Sequence, residues 1–349
     1  MITIYFGGYD QNLIAKQIIR ATKYDKLNIL IDSVLDYEFN SGLYMSPATC
    51  SIVRYLTIKK ELLDTFSVYP LLENLKYSDF RLNDFDMVIN FILSLELLKE
   101  RNFKGMINNL KEKLGIQNQI IPLTDKKIDI EITVNGPSGP IVVSPFEYYS
   151  KAPVGDVTNI FFKNLGEIKI LEDAKRAILK SSLLIICQPD PLSLYADLNL
   201  PGMKKTLEEF SGRVLAICQI MLKERDQSIM KCLGQSPTIF GLINLLIGLV
   251  DDLILDDFDS ELLLKARAQD LGMEIVPLNY RELSEDEFKI IRKIIKITDI
   301  DPSYFTEVKD SSINKIKSSL TYRATQLKSK IKKLKAKFTD SEPHNDVGD

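Results

Sequence analysis

Apolar residues near the start of the chain form two short, nearly continuous runs, Ile2–Phe6 and Leu27–Ile31. The segment between these runs carries apolar residues at helical spacing, namely Leu13, Ile14, Ile18 and Ile19. Apolar runs of this length are typical of strands that are buried on both faces of a sheet. The pattern therefore predicts a strand–helix–strand unit with parallel strands.

Further along the chain, helical spacing covers residues 51–63 and 86–114, and a break is predicted near Asn102. Alternation of apolar and polar residues around the turn 136–140 predicts a β-hairpin. The pattern then predicts a strand at 159–162 and buried strands at 183–187, 214–218, 252–256 and 274–278. We therefore predict a doubly wound, mostly parallel, Rossmann-like α/β sheet with a β-hairpin insertion at about 117–150.

The C-terminal part of the chain has a different composition from about Lys309 onward. Its apolar residues recur at spacings of three and four, and lysines and arginines occupy the other faces. We expect a long basic amphipathic helix over 301–338 and a disordered tail over 339–349, after an α/β domain over 1–300. The helix either packs on its own subunit or a second copy, or forms a coiled coil or binds an acidic partner. We expect a homodimer.

Composition limits the classes of function. The 349 residues carry a net charge of −3, which gives no overall attraction to nucleic acids or anionic membranes. The four cysteines are far apart and form no Cys-x-x-Cys motif, as expected of reduced cytosolic thiols. The longest apolar run, 239–250, is shorter than the ~20 residues of a membrane-spanning helix. We expect a cytoplasmic protein with no nucleic-acid or membrane partner.

The chain contains one histidine, His344, which lies in the polar C-terminal tail. A Ser-His-Asp triad or a histidine-ligated zinc site in the core is therefore excluded. Chemistry in the core must use carboxylates, hydroxyls, lysines and backbone N–H groups. A hard cation such as Mg²⁺, which prefers oxygen ligands, is compatible with that set.

Three short segments carry residues suited to a binding site. Gly7 and Gly8 follow the first predicted strand, where α/β proteins bind phosphate through backbone N–H groups, although a tight turn explains the pair equally. Asp84 and Asp86 open an apolar helix, where carboxylates cap N–H groups or face a ligand. The loop at 188–193 leaves the carboxyl end of a predicted strand, which is the usual ligand position in such folds.

Several sequence blocks resemble those of one enzyme family, in the same order. They include Ser41-Gly42-Leu43-Tyr44-Met45-Ser46-Pro47, Arg81-Leu82-Asn83-Asp84-Phe85-Asp86, Phe146-Glu147-Tyr148-Tyr149 and Leu200-Pro201-Gly202-Met203. Over about residues 1–280 the chain resembles the 2-phospho-L-lactate transferase (CofD-like) family. The resemblance implies transfer of a phospholactyl or phosphoenolpyruvyl group from a guanosine diphosphate donor to the deazaflavin Fo, in coenzyme F-420 biosynthesis.

The resemblance also implies roles for individual residues. Asp36 aligns with the first member of a family aspartate pair and would act as catalytic base or as Mg²⁺ ligand, unless it only caps its own loop. Asp84 and Asp86 would shape the deazaflavin pocket. The residues that would hold the diphosphate are Gly7, Gly8, Asn12, Gln188, Asp190 and Ser193.

The chain departs from the family pattern at several of these positions. Asn83 replaces a glycine, Phe85 a basic residue and Asn90 a histidine, and Asp10 stands at the position of a third loop glycine. A carboxylate there opposes pyrophosphate binding, and the lost glycines restrict close backbone approach. The alternative function is therefore a non-catalytic regulatory paralogue that binds a nucleotide or a nucleotide sugar.

Overall fold

The computed structural model describes a set of segments that together cover most of the chain. They are residues 1–7, 13–38, 43–57, 84–100, 102–151, 155–187, 190–218, 222–256, 271–279 and 288–306. The described residues up to Phe305 belong to one compact unit. Gly8, Asn12 and Gln188 lie outside the described segments, as does nearly all of the predicted C-terminal helix and tail.

The strands fall into three groups. In chain order they are β1 (Ile2–Phe6), β2 (Leu27–Ile31), β3 (Tyr37–Glu38), β4 (Tyr44–Met45), β5 (Gln119–Pro122), β6 (Ile130–Gly136), β7 (Gly139–Val143), β8 (Val157–Phe162), β9 (Leu183–Cys187), β10 (Arg213–Cys218), β11 (Asp252–Asp256) and β12 (Glu274–Leu278). Seven of them form a parallel sheet in the order β12-β11-β10-β9-β1-β2-β5. The predicted mostly parallel α/β sheet is confirmed.

The order of strands reverses between β1 and β9. From β1 the chain continues on one side to β2 and β5, and it then returns to the other side through β9 to β12. Such a reversal leaves a crevice beyond the carboxyl ends of the two central strands, and ligands of doubly wound folds bind there. The fold therefore directs attention to the residues that follow β1, β2 and β9.

The helices cover both faces of this sheet. In chain order they are α1 (Leu13–Ala21), α2 (Pro47–Thr57), α3 (Asp84–Glu100), α4 (Phe103–Leu114), α5 (Pro145–Lys151), α6 (Glu172–Leu179), α7 (Pro191–Leu198), α8 (Met203–Glu209), α9 (Glu224–Cys232), α10 (Ile239–Leu246) and α11 (Lys289–Thr298). Alternate residues of β1 serve two separate cores, since Ile4 packs with α1, α2 and α11, whereas Tyr5 packs with α6, α7 and α8. Both faces of the strand are thus buried, which explains its continuous apolar run.

The predicted break near Asn102 is confirmed, because Asn102 caps α4. Its side-chain oxygen accepts a hydrogen bond from the Gly105 N–H at 2.7 Å, which satisfies one of the free donors of the first turn. The apolar run 239–250 contains the short, largely buried helix α10. Among the helices of the described segments, none is long and apolar enough to cross a membrane.

The predicted β-hairpin is present as β6 and β7, joined at Gly136 and Gly139. β8 pairs with the other side of β6, so the insertion is a three-stranded antiparallel sheet. The predicted bounds of the insertion, about 117–150, start too early, because β5 (Gln119–Pro122) lies at the edge of the central sheet, next to β2. Within the predicted C-terminal region, the described residues form a 3-10 turn at Pro302–Tyr304 and a bridge from Phe305 to Thr22.

One buried ion pair joins neighbouring strands of the central sheet. Arg213 begins β10, and its guanidinium donates two hydrogen bonds, of 2.5 and 2.8 Å, to the carboxylate of Asp252 at the start of β11. The Asp252 side chain is completely buried, whereas 36% of the Arg213 side chain reaches solvent. Burial raises the pKa of Asp252, and Arg213 opposes that rise. The aspartate therefore depends on the arginine to remain charged inside the protein.

We expect Arg213→Met to destabilise the protein by about 2–3 kcal/mol. Loss of one partner of a fully buried pair costs about 3–5 kcal/mol, and the partial exposure of Arg213 lowers that value. Urea unfolding would measure the change. Lys205→Met, which breaks the exposed pair with Glu209, serves as the control and should cost less than about 1 kcal/mol. Equal losses in both variants would contradict a structural role for the buried pair.

Candidate functional site

The crevice at the strand reversal is bordered by residues that directly follow the central strands. Gly7 follows β1, Asp32 follows β2, and Asp190 lies just beyond β9. Parallel strands bring their carboxyl ends to one edge of a sheet, so these three residues meet although they are distant in sequence. Two of them, Gly7 and Asp190, were predicted as substrate-binding residues, and their role in binding stays a prediction.

Gly7 lies in direct contact with the Asp32 side chain. A Cβ atom added to Gly7 would lie 2.1 Å from Oδ2 of Asp32 and 2.8 Å from the hydroxyl oxygen of Tyr5. Only a residue without a side chain fits at that distance. Gly7 is thus required by the close approach of a buried carboxyl group, a requirement separate from any contact with phosphate.

Asp190 and Ser193 lie together at the start of α7. Asp190 caps this helix, because its Oδ1 accepts a hydrogen bond from the Ser193 N–H at 2.9 Å. The Tyr149 hydroxyl donates a second hydrogen bond to the same oxygen at 3.2 Å. Oδ2 of Asp190 has no hydrogen-bond partner in the described part of the chain. One carboxylate oxygen therefore stabilises the helix, and the other is left available to a ligand in the crevice.

Asp197 on α7 adds a further carboxyl group near Asp32 and Asp190. The Tyr5 hydroxyl donates a hydrogen bond of 2.5 Å to Asp197, and both residues are buried. Burial raises the pKa of Asp197 to about 8. The pKa of Asp32 is also raised, first by burial and then by the nearby carboxyl groups of Asp197, Asp190 and Asp36. Burial therefore favours the protonated, uncharged forms of Asp32 and Asp197.

Asp36, the predicted catalytic residue, is buried beside Tyr44. The Tyr44 hydroxyl donates a hydrogen bond to Oδ2 of Asp36, and Oδ1 has no hydrogen-bond partner among the residues that the structure describes. Burial raises the pKa of Asp36 to about 7, against the opposing effects of Tyr44, Ser46 and Lys127. A carboxyl group with this pKa exchanges a proton readily at neutral pH.

Helix α3 holds the segment that carries Asp36 and its partner. The Tyr44 N–H donates to the Ser94 hydroxyl at 2.7 Å, and the Ser46 N–H donates to the side-chain oxygen of Asn90 at 3.0 Å. Asn90 is buried and also contacts the thiol of Cys50. The residue that replaces the family histidine therefore has a clear structural function, because it fixes the backbone next to Asp36.

Asp86 and Asp36 both act electrostatically on the Cys50 thiol. Asp86 forms an ion pair with Arg54 of α2, and both side chains are nearly buried. This pairing joins α2 to α3. Asp84 is the first residue of α3. The roles of Asp84 and Asp86 in a deazaflavin pocket stay predictions.

The Asp36 carboxylate is suited to coordinate Mg²⁺ as its single protein ligand. Magnesium is commonly held by one or two carboxylates, with waters and substrate phosphates completing the shell. The unpartnered, buried Oδ1 of Asp36 suits that role. Within the described segments there is no group of three acidic, cysteine or histidine side chains placed to bind a metal. The residues present thus fit a metal that arrives with its substrate.

Sequence reasoning missed Asp32, Asp197, Tyr5 and Tyr149. Asp32 gave a usable signal, because it is a charged residue directly after a buried strand. Asp197 gave a weaker signal, as an acid within the apolar helix α7. The two tyrosines gave none, since their partners lie 192 and 41 positions away along the chain.

Comparison with known proteins identifies the relatives of this chain. The sequence profile of the family described as 2-phospho-L-lactate transferase CofD matches residues 57–295. The curated 2-phospho-L-lactate transferase of Methanocaldococcus jannaschii is 24% identical over 312 residues, which cover 85% of this chain and 97% of that protein.

Solved structures show the same fold. A protein of the UPF0052 family from Bacillus halodurans superposes with a TM-score of 0.50 at 16% identity, covering 80% of this chain and 92% of that one. A second crystal structure of that protein gives a TM-score of 0.50 at 17% identity, with coverage of 79% and 92%. At this level of identity the likeness establishes the fold alone.

We expect Gly7→Ala to destabilise the protein by about 1–3 kcal/mol, the range for an overpacked core. The added methyl group would overlap the Asp32 carboxyl. Combination with Asp32→Ala should recover part of the loss, which urea unfolding of the single and double variants would show. Gly166→Ala is the matched control, because a Cβ atom added at Gly166 would meet no described atom within 4 Å beyond its chain neighbours. Strictly additive losses in the double variant would contradict the contact.

We expect the stability of the protein to fall as the pH rises from about 5 to 8. Burial raises the folded-state pKa of Asp197 to about 8. At pH values between the unfolded-state pKa of about 4 and this folded-state pKa, the folded state binds more protons than the unfolded state. Asp197→Asn removes this ionisation and retains an oxygen that can accept from Tyr5.

The stability of Asp197→Asn relative to the wild type should therefore increase from pH 5 to pH 8. The expected change is at least about 1.4 kcal/mol, the equivalent of one pKa unit. Urea unfolding at both pH values measures it, with Asp25→Asn as the control because half of that side chain is exposed. An equal difference at both pH values would contradict the protonation of Asp197.

Proposed function

Since the chain belongs to the 2-phospho-L-lactate transferase CofD family, we propose that it transfers a phospholactyl or phosphoenolpyruvyl group to the deazaflavin Fo. The donor is a guanosine diphosphate derivative, and the reaction serves coenzyme F-420 biosynthesis. The observation that carries the proposal is Asp36, a buried carboxyl group with one oxygen that no described residue contacts by a hydrogen bond. It lies four residues after Asp32, which borders the crevice at the carboxyl ends of the central strands.

In the proposed reaction, the terminal ribityl hydroxyl of Fo attacks the phosphorus that carries the lactyl or enolpyruvyl group. A new P–O bond forms, the bond to the other phosphate breaks, and GMP leaves with its phosphate. Asp36 accepts the hydroxyl proton at Oδ1. Its raised pKa of about 7 suits a general base at neutral pH. Tyr44 keeps the carboxyl group in place through its hydrogen bond to Oδ2.

The crevice beside Gly7 is the proposed site of the diphosphate. Three carboxyl groups would repel a diphosphate if they were ionised. Burial raises the pKa values of Asp32, Asp190 and Asp197, and a protonated carboxyl group donates a hydrogen bond in place of repelling an anion. Oδ2 of Asp32 lies against Gly7 and has no hydrogen-bond partner among the described residues. In its protonated form, this carboxyl group would donate a hydrogen bond to a phosphate oxygen next to Gly7.

A Mg²⁺ ion held by Asp36 and the substrate phosphates would supply charge neutralisation, which phosphoryl transfer requires. Under that arrangement Asp36 is a metal ligand, and the proton leaves by another route. Calorimetry separates the two roles. If Asp36 binds the metal, Mg²⁺ should strengthen GDP binding to the wild type and not to Asp36→Asn. If Asp36 is the base, Mg²⁺ should have the same effect on both proteins.

A second candidate function is a non-catalytic paralogue that binds a nucleotide or nucleotide sugar. Asn90 favours it, because it stands where the family has a histidine and its side-chain oxygen accepts a hydrogen bond from the Ser46 N–H. A protein of this kind would bind GDP or a GDP-linked compound without forming product. Incubation with Fo, the lactyl-guanosine diphosphate donor and Mg²⁺, followed by mass spectrometry of the deazaflavin, distinguishes the two functions.

We expect Asp36→Asn to lower turnover at least about 100-fold, the lower range for loss of a general base. The melting temperature should stay the same or rise, because burial of a neutral amide is less costly than burial of an ionising carboxyl group. Asp25→Asn is the matched control, since Asp25 precedes β2 at the opposite end of the sheet. Full activity of Asp36→Asn would overturn the assignment of Asp36.

A further inference from the structure

A groove of about 700 Å³ runs along the edge strand β5 and past the amino end of β2. It is lined by Asn28, near the start of β2, and by all four residues of β5, from Gln119 to Pro122. None of the residues of the crevice, such as Asp32 and Asp36, lines this groove.

Three cationic side chains line this groove, together with a single acid. Lys104 lies on α4, Arg176 lies on α6, and Lys180 directly follows α6. Asp173, the acid, is already paired with both Lys104, at 2.5 Å, and Arg176. The lining side chains consequently carry an excess of two positive charges, although the whole chain carries a net charge of −3. A local excess of this kind attracts anions.

The groove also offers apolar surface and amide groups. Ile121, Pro122 and Leu171 provide apolar contacts beside the cations. The side-chain amides of Asn108 and Gln119 provide hydrogen-bond donors and acceptors. Its volume lies within the range of about 300–1,000 Å³ that is typical of small-molecule sites. An occupant with a ring system and a phosphate group would use each of these features.

We infer that this groove binds a phosphate-bearing small molecule of about nucleotide size. Lys180 forms no ion pair among the described residues, and Lys104 and Arg176 add positive charge beyond the single charge of Asp173, which suits a phosphate group. Because the groove and the crevice share no lining residue, both can be occupied at once. The inference does not depend on the transferase reaction.

Isothermal titration calorimetry with ATP and with pyrophosphate, at low ionic strength, tests the inference. We expect sub-millimolar binding of ATP. Arg176→Glu and Lys180→Glu should each weaken it at least tenfold, because each reverses a charge that lines the groove. Both residues lie at the surface, so the folds of these variants should stay intact.

The matched control is Lys169→Glu, the same charge reversal at an exposed lysine outside the groove. It should change ATP affinity less than twofold, and Asp36→Asn should leave it unchanged. Absence of ATP and pyrophosphate binding at millimolar concentration would overturn the inference. Equal weakening by Lys169→Glu would also overturn it, since the attraction would then come from overall charge. Weakening of ATP binding by Asp36→Asn would place ATP in the crevice and have the same consequence.

Discussion

The contact between Gly7 and the carboxyl group of Asp32 is the constraint on which the candidate site depends. The pairing of β1 with β2 brings the two residues together, and their contact leaves no room for a side chain at position 7. Because the carboxyl group of Asp32 is buried among other acids, its ionisation is unfavourable. Burial raises the pKa of Asp197 as well, and Asp197 accepts a hydrogen bond from Tyr5. The fold thus gathers acidic residues in the crevice and favours their neutral forms.

The difference between the number of acidic residues and the charge they carry changes how the departures from the family pattern are understood. When an acidic residue stands at a position where the family has a neutral one, the sequence suggests a negative charge that repels phosphate. In the folded protein its effect depends on burial, which sequence does not report. Asn90, which stands where the family has a histidine, shows a related point, because its side-chain oxygen accepts from the Ser46 N–H and so packs α3 against the segment beside Asp36. A substitution at a family position can therefore reflect support of the site as well as loss of activity.

The fold could be predicted from sequence because its signal is local. The apolar runs of β1, β2 and β9 and the break at Asn102 are each readable within about ten residues. The candidate site could be predicted only in part. Asp190 was found because it follows a strand, and Asp36 because a neighbouring block resembles a family. Tyr5 and Asp197 were missed because their contact spans 192 positions and depends on the order of the strands.

The two ends of the central sheet differ in charge, and the difference follows from how each end is built. At the carboxyl ends, acids such as Asp32 are enclosed within the protein, and burial favours their protonated form. At the amino ends, Arg176 and Lys180 remain in contact with water. The two ends of the sheet therefore present different surroundings to a charged ligand. Accessible cations lie at the amino ends, and buried carboxyl groups lie at the carboxyl ends.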